Sequence, residues 1–318
     1  MNGNELIGLF EKGGKRFRVI GSIENGVIAG LDLEGRYFAV RDHQVMNKVN
    51  PAAVLGITTR AAYLNPGGNG LWPAPEGTCL GYEYSTGAWR VPPGLTGARF
   101  RLIEDSLNHG VIEAEVDLIN ASGLGIPTRF RRNITVETEE SVLRVRVIES
   151  IEYIGSKTLS RKECLLAPWT LCQFDSEAGC EGVFPATHDS ALWDLYESSS
   201  DRRTRKDGLW HTKTDGGRKY QIGLDKTVGW VEFRNPARNL CVKRTAAALP
   251  LGQEFIDIID APPDQAPSDN GTRFSVYSDP SCFMEIEAVG GCPRELVPGT
   301  VLSVEVTTEY SNLEPKST

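Results

Sequence analysis

A large all-β fold, with two antiparallel sheets stacked face to face, follows from the way this 318-residue chain distributes its apolar side chains. The dominant period is two: in Ile112-Glu113-Ala114-Glu115-Val116-Asp117-Leu118 apolar residues alternate with carboxylates, as a half-buried antiparallel strand requires. Turn signals interrupt the pattern at short intervals, among them Asn25-Gly26, Gly67-Gly68, Asp207-Gly208, Asp215-Gly216-Gly217, Asn270-Gly271 and Gly290-Gly291. Glycine and proline number 33 and 18, in keeping with a chain of many tight turns. Helical periodicity is scarce.

Taken in order, strands are expected at 16–20, 27–33, 37–40, 112–118, 142–148, 221–224, 229–233 and 302–308. In the segment 142–148, Arg144 and Arg146 occupy the polar face. A short helix is expected at Ser190–Ser198, where Leu192, Trp193, Leu195 and Tyr196 share one face for two turns. The Pro- and Asp-rich stretch 261–271 reads as a long loop. Neither a repeat of 20 to 50 residues nor a low-complexity linker divides the sequence, so one β domain over 1–318 is expected.

A formal net charge of −8 argues against a nucleic-acid binder, because affinity for phosphate backbones comes from clustered Lys and Arg that displace counterions. A neutral or weakly charged small molecule is the easier ligand. The polar, acidic opening Met1–Phe10 lacks the basic start and apolar run of a signal peptide, and no window approaches the roughly 18 apolar residues that cross a membrane. A soluble, cytoplasmic protein without membrane contacts is expected. The odd count of 7 cysteines does not suit a complete disulfide framework, so reduced thiols are expected. Cys164, Cys172 and Cys180 are evenly spaced, but no C-x-x-C and no paired histidines accompany them, and neither metal nor cofactor is expected. Three N-x-[ST] matches, at Asn120, Asn133 and Asn270, are acceptors only in a secreted chain. No G-x-S-x-G, G-x-x-x-x-G-K-[ST] or H-E-x-x-H occurs. The oligomeric state is left open.

The candidate binding residues begin in Asn65-Pro66-Gly67-Gly68-Asn69-Gly70-Leu71-Trp72-Pro73-Ala74-Pro75-Glu76, where a glycine-rich turn brings Asn69, Trp72 and Glu76 to one place. An indole face beside hydrogen-bonding groups suits a sugar ring, whose C–H bonds lie on the aromatic while its hydroxyls donate to oxygens. The competing reading makes Trp72 an ordinary core residue. Trp169 poses the same choice between core and platform. Arg131 and Arg132 are adjacent, so on a strand one faces inward, and an inward arginine needs a carboxylate such as Glu76 or Glu287, or a ligand. Alternatively both are solvated on a twisted edge. Asp201-Arg202-Arg203-Thr204-Arg205-Lys206 is either a phosphate-holding loop or a solvated turn. Lys226, next to Asp225, is a proton donor only if desolvated.

Three segments resemble the galactose-mutarotase-like (aldose 1-epimerase-like) superfamily, in a prokaryotic branch with a GGxxLWPAPE motif. They are Gly67–Glu76; Thr128–Ile134 with the strand at 142–148 and Leu165–Leu171; and Phe283-Met284-Glu285-Ile286-Glu287 followed by Leu296-Val297-Pro298-Gly299. Together they span roughly residues 55 to 310 in the family's order. The resemblance implies a β-supersandwich, a small-molecule carbohydrate ligand and interconversion of sugar anomers by a general base and a general acid. The family's base, a glutamate of the C-terminal strand, carries over onto Glu285 or Glu287, with Glu287 favoured for its nearness to Gly290-Gly291. Its acid, a histidine of a mid-chain strand, has no counterpart: Ala167-Pro168-Trp169-Thr170-Leu171 stands there instead. His188 and His211 are then the candidates for that role, each also readable as a loop histidine. Two alternatives follow: a sugar-recognition module that has lost the histidines, or a lyase or glycoside hydrolase pairing Glu76 with Glu287.

Overall fold

The computed structural model describes residues 1–59, 62–80 and 91–314. Two ten-stranded sheets, antiparallel at every pairing, pack face to face, as the alternating pattern predicts and as the supersandwich implied by the resemblance requires. One sheet runs, edge to edge, through 17–21, 26–30, 37–41, 69–74, 167–175, 283–289, 274–279, 220–224 and 192–194, with 44–45 beside 37–41. The other runs through 203–206, 209–213, 181–185, 230–235, 240–246, 301–311, 142–153, 125–139, 109–119 and 101–105.

The long strands of the second sheet show why the period is two. In Gly125–Glu139, the inward positions Ile126, Thr128, Phe130, Arg132, Ile134 and Val136 are buried. The outer face is an ion-pair lattice, with Arg129 between Glu115 and Glu152, Arg131 on Glu104 and Arg146 on Glu305. Such exposed pairs stabilise little and chiefly keep the outer face solvated. Between the sheets the core is continuous; Phe174 of one stacks on Phe233 of the other at 4.7 Å between centroids.

The expected strands recur within a few residues of their predicted bounds, for example Val301–Ser311 for 302–308 and Trp230–Asn235 for 229–233. The helix expected at Ser190–Ser198 does not form. A 3-10 turn, Asp189–Ala191, gives way to the edge strand Leu192–Asp194, which pairs with Tyr220–Leu224. No side-chain cap closes the turn, and Asp194 instead accepts from the backbone and hydroxyl of Ser199 across the bend that follows the strand. A helix the periodicity does not announce spans Gly3–Lys12: Asn2 and Glu5 form a reciprocal capping box, and Leu6 and Phe10 pack on Ile28 and Phe38. All seven cysteines are free thiols.

Candidate active site

The glycine-rich turn earns its glycines. Gly67 has φ +82°, and a Cβ there would come within 2.1 Å of the Lys48 carbonyl oxygen. Gly70 leaves room for Arg36, whose Cζ would sit 2.9 Å from a Cβ. The chain then enters the strand Asn69–Ala74, which pairs with Ala167–Asp175 so that Trp72 stands opposite Trp169. Their rings meet edge to face, 6.5 Å apart at 87°. Behind Trp72 the Arg36 guanidinium lies 5.7 Å from the indole, itself held by Glu34, Tyr63 and the Gly67 carbonyl.

On the strand Phe283–Val289, Glu285 and Glu287 project from the same face of the sheet as the two tryptophans, while Met284 and Ile286 point into the core. The register then supplies each carboxyl with neighbours. Gln173 lies opposite Glu285 and donates to its Oε1; Ser275 lies opposite Glu287 and donates to its Oε2, as does Gln221 at 2.8 Å. Burial pushes the Glu285 carboxyl well up, and the charge and hydrogen bond of Glu287 beside it push in the same direction, against the weaker pull of Arg36 and Gln173. Glu287 accepts from two donors at Oε2. Burial and mutual repulsion disfavour ionisation of both carboxyls at once, so the pair is suited to hold one proton between them.

Trp72, Glu76, Trp169, Glu285 and Glu287 all line one hollow, together with Gln173 and Gln221. Tyr196, Lys219 and Asp260 complete the rim, with the Lys219 ammonium 4.9 Å from the Tyr196 ring. Burial, with the charge of Glu76 adding to it, also pushes the Tyr196 hydroxyl well up, so it stays a neutral donor.

The remaining predicted site residues lie elsewhere. Arg132 is fully buried between the sheets on Glu149 (2.7 Å), and also donates to the carbonyls of Gly35 and Asn69 and to Asn69 Oδ1. Its carboxylate is thus Glu149, neither Glu76 nor Glu287, and Asn69 faces this interlayer cluster instead of the hollow. Arg131 is on the outer face with Glu104. His188 lies in a surface loop with Ser190 and Asp225, and His211 pairs with Glu181 (3.1 Å) on the second sheet. Lys226 is an exposed turn residue whose carbonyl accepts from Arg273. No histidine is among the residues lining the hollow.

Gln173 and Gln221 escaped the sequence reading. Gln173 is two and four positions from Leu171 and Trp169 on one strand face, so extending the Trp169 periodicity would have found it. Among the described residues, no group of three His, Cys, Asp or Glu side chains is placed to hold a metal ion, and no helix is long and apolar enough to cross a membrane.

No family model and no curated protein matches the chain in sequence. Solved structures do match it. A galactose mutarotase-like protein from Lactobacillus casei superposes with a TM-score of 0.56 at 10% identity, over 93% of this chain and 100% of that one. A galactose mutarotase-like protein from Clostridium acetobutylicum gives 0.56 at 10% identity, over 91% and 93%. The chain has the galactose mutarotase-like fold. A galactose mutarotase related enzyme from Lactobacillus acidophilus is similar at a TM-score of 0.50 and 13% identity, over 95% and 100%. Identities this low speak for the architecture and leave the chemistry to the residues of the hollow.

Proposed function

We propose that the hollow binds a small carbohydrate and interconverts its anomers, with Glu287 as general base and Glu285 as general acid. The observation that carries this reading is the placement of two adjacent carboxyls on one sheet face with two indoles, the Glu285 carboxyl pushed well up by burial and by Glu287 beside it. Glu287 takes the proton of the anomeric hydroxyl while Glu285 gives its proton to the ring oxygen, breaking the bond between that oxygen and C1. The open aldehyde turns about its C1–C2 bond. Reclosure returns each proton, so the pair ends as it began. Adjacent carboxyls that share one proton provide acid and base together without a histidine. The mutarotase-like fold supports the carbohydrate reading by analogy.

Polarimetry on freshly dissolved α-D-glucose and α-D-galactose tests it. Wild-type protein should accelerate the approach to equilibrium, and Glu287→Gln should lower that acceleration by about 10²- to 10⁴-fold with the fold intact. An unchanged rate removes Glu287 from the base role. The absence of any histidine in the hollow favours a second reading, a recognition module without catalysis, and sugar binding with no acceleration by wild-type protein would select it.

A further inference from the structure

Gln173 is only 2% exposed, and its amide does two different things. Its Nε2 donates to Glu285 Oε1, and its Oε1 is buried without a partner among the described residues. The indole Nε1 atoms of Trp72 and Trp169 are in the same condition. Folded chains seldom leave buried polar side-chain atoms unpaired, and here three belong to side chains lining one hollow. Two donors and one acceptor complement a sugar hydroxyl, which gives its hydrogen to the amide oxygen and its lone pairs to an N–H.

We propose that Gln173 reads the hydroxyl next to the reacting carbon, so that the site prefers aldoses with a free 2-hydroxyl over 2-deoxy aldoses. This rests on the reading above, in which Glu285 and Glu287 act at the anomeric centre. Because the Gln173 amide is bonded to Glu285 itself, its oxygen lies close to the group that serves the ring oxygen. The neighbours of the anomeric carbon are the ring oxygen, its own hydroxyl and C2. With the carboxyl pair engaged by the first two, the 2-hydroxyl is the nearest remaining donor. A 2-deoxy sugar closes the hollow against water and still leaves Gln173 Oε1 unpaired, the situation in which a hydrogen-bonding site discriminates most strongly.

Isothermal titration calorimetry on the full chain provides the test, with D-glucose, D-galactose and the 2-deoxy analogue of each. Wild-type protein should bind the parent sugars about ten- to hundredfold more tightly than the analogues. Gln173→Met, close in volume, should weaken parent binding until that ratio falls to within about threefold; a merely structural role would weaken parent and analogue alike and leave the ratio standing. Equal affinities in the wild type, or a ratio that survives Gln173→Met, overturn the proposal while leaving a sugar site in place. The wild-type comparison stands by itself if the variant does not fold. No binding of any of the four sugars would remove the carbohydrate reading, and this inference with it.

Discussion

Glu285→Gln probes the carboxyl pair independently of any ligand, through the dependence of stability on pH. The raised carboxyl means that the folded state holds a proton which the unfolded chain, with an ordinary carboxyl near 4.3, has released. Its contribution to stability is therefore fully present below the unfolded value and is lost as pH rises through the folded one. In between, the unfolded state binds fewer protons than the native state, so the slope of unfolding free energy against pH is negative, approaching about 1.4 kcal/mol per pH unit for one proton. Carboxyls held low by partners, such as Asp32 on Arg16 or Asp201 on Arg218, have the opposite sign. They finish titrating in the acid range and add little above about pH 5. Urea denaturation of wild type and Glu285→Gln between pH 5 and 6 should give wild-type stability that falls relative to the variant by up to about 1.4 kcal/mol. Parallel pH dependences, or a wild type that gains on the variant as pH rises, would refute a shared proton at the pair.

The interlayer arginines should be as important to the fold as the pair is to chemistry. Arg132→Met leaves Glu149 buried without its partner and should cost about 3–5 kcal/mol by chemical denaturation. Arg244 donates to the carbonyls of Thr170 and Ile286, on the two strands that carry Trp169 and the carboxyl pair, so Arg244→Met should weaken ligand binding as well as stability. Asn2→Ala removes half of the capping box and should lower stability by about 1 kcal/mol with ligand affinity unchanged, measured by denaturation and calorimetry side by side.

How much of this was legible in the sequence depended on which faces of a strand are buried. The long strands of the second sheet have one wet face, and the alternation of Ile112 to Leu118 or Val142 to Ile148 announces it. The strand Ala167–Asp175 is buried on both faces, the core on one and the covered floor of the hollow on the other, so Ala167-Pro168-Trp169-Thr170-Leu171-Cys172 shows no alternation. Phe283–Val289 escapes that only because its hollow-facing positions are Glu285 and Glu287, and polar residues at period two survive as a signal even when buried. The helix misread at Ser190–Ser198 has a related cause: an edge strand that packs on one neighbour and continues into the rim of the hollow carries apolar residues at spacings that imitate a helical face.

Arg132 shows why local reasoning places an inward charge correctly and names its partner wrongly. From Arg131-Arg132 on a strand, one guanidinium must face the interior, and burial then demands a carboxylate. Glu149 meets the demand from the neighbouring strand, where the register sets Arg132 directly against it. Nothing in the sequence ranks Glu149 above Glu76 or Glu287, because the choice is made by strand register and by which face of the first sheet each carboxylate leaves from. Glu285 and Glu287 leave from the face away from the second sheet, out of reach of Arg132, with Arg36 the cation whose charge acts on Glu285. Had Arg132 faced them, a full positive charge would favour ionisation of both carboxyls and remove the proton an acid needs. The fold keeps Arg132 and the carboxyl pair on opposite faces of one sheet, so that guanidinium does not oppose the burial that pushes Glu285 up.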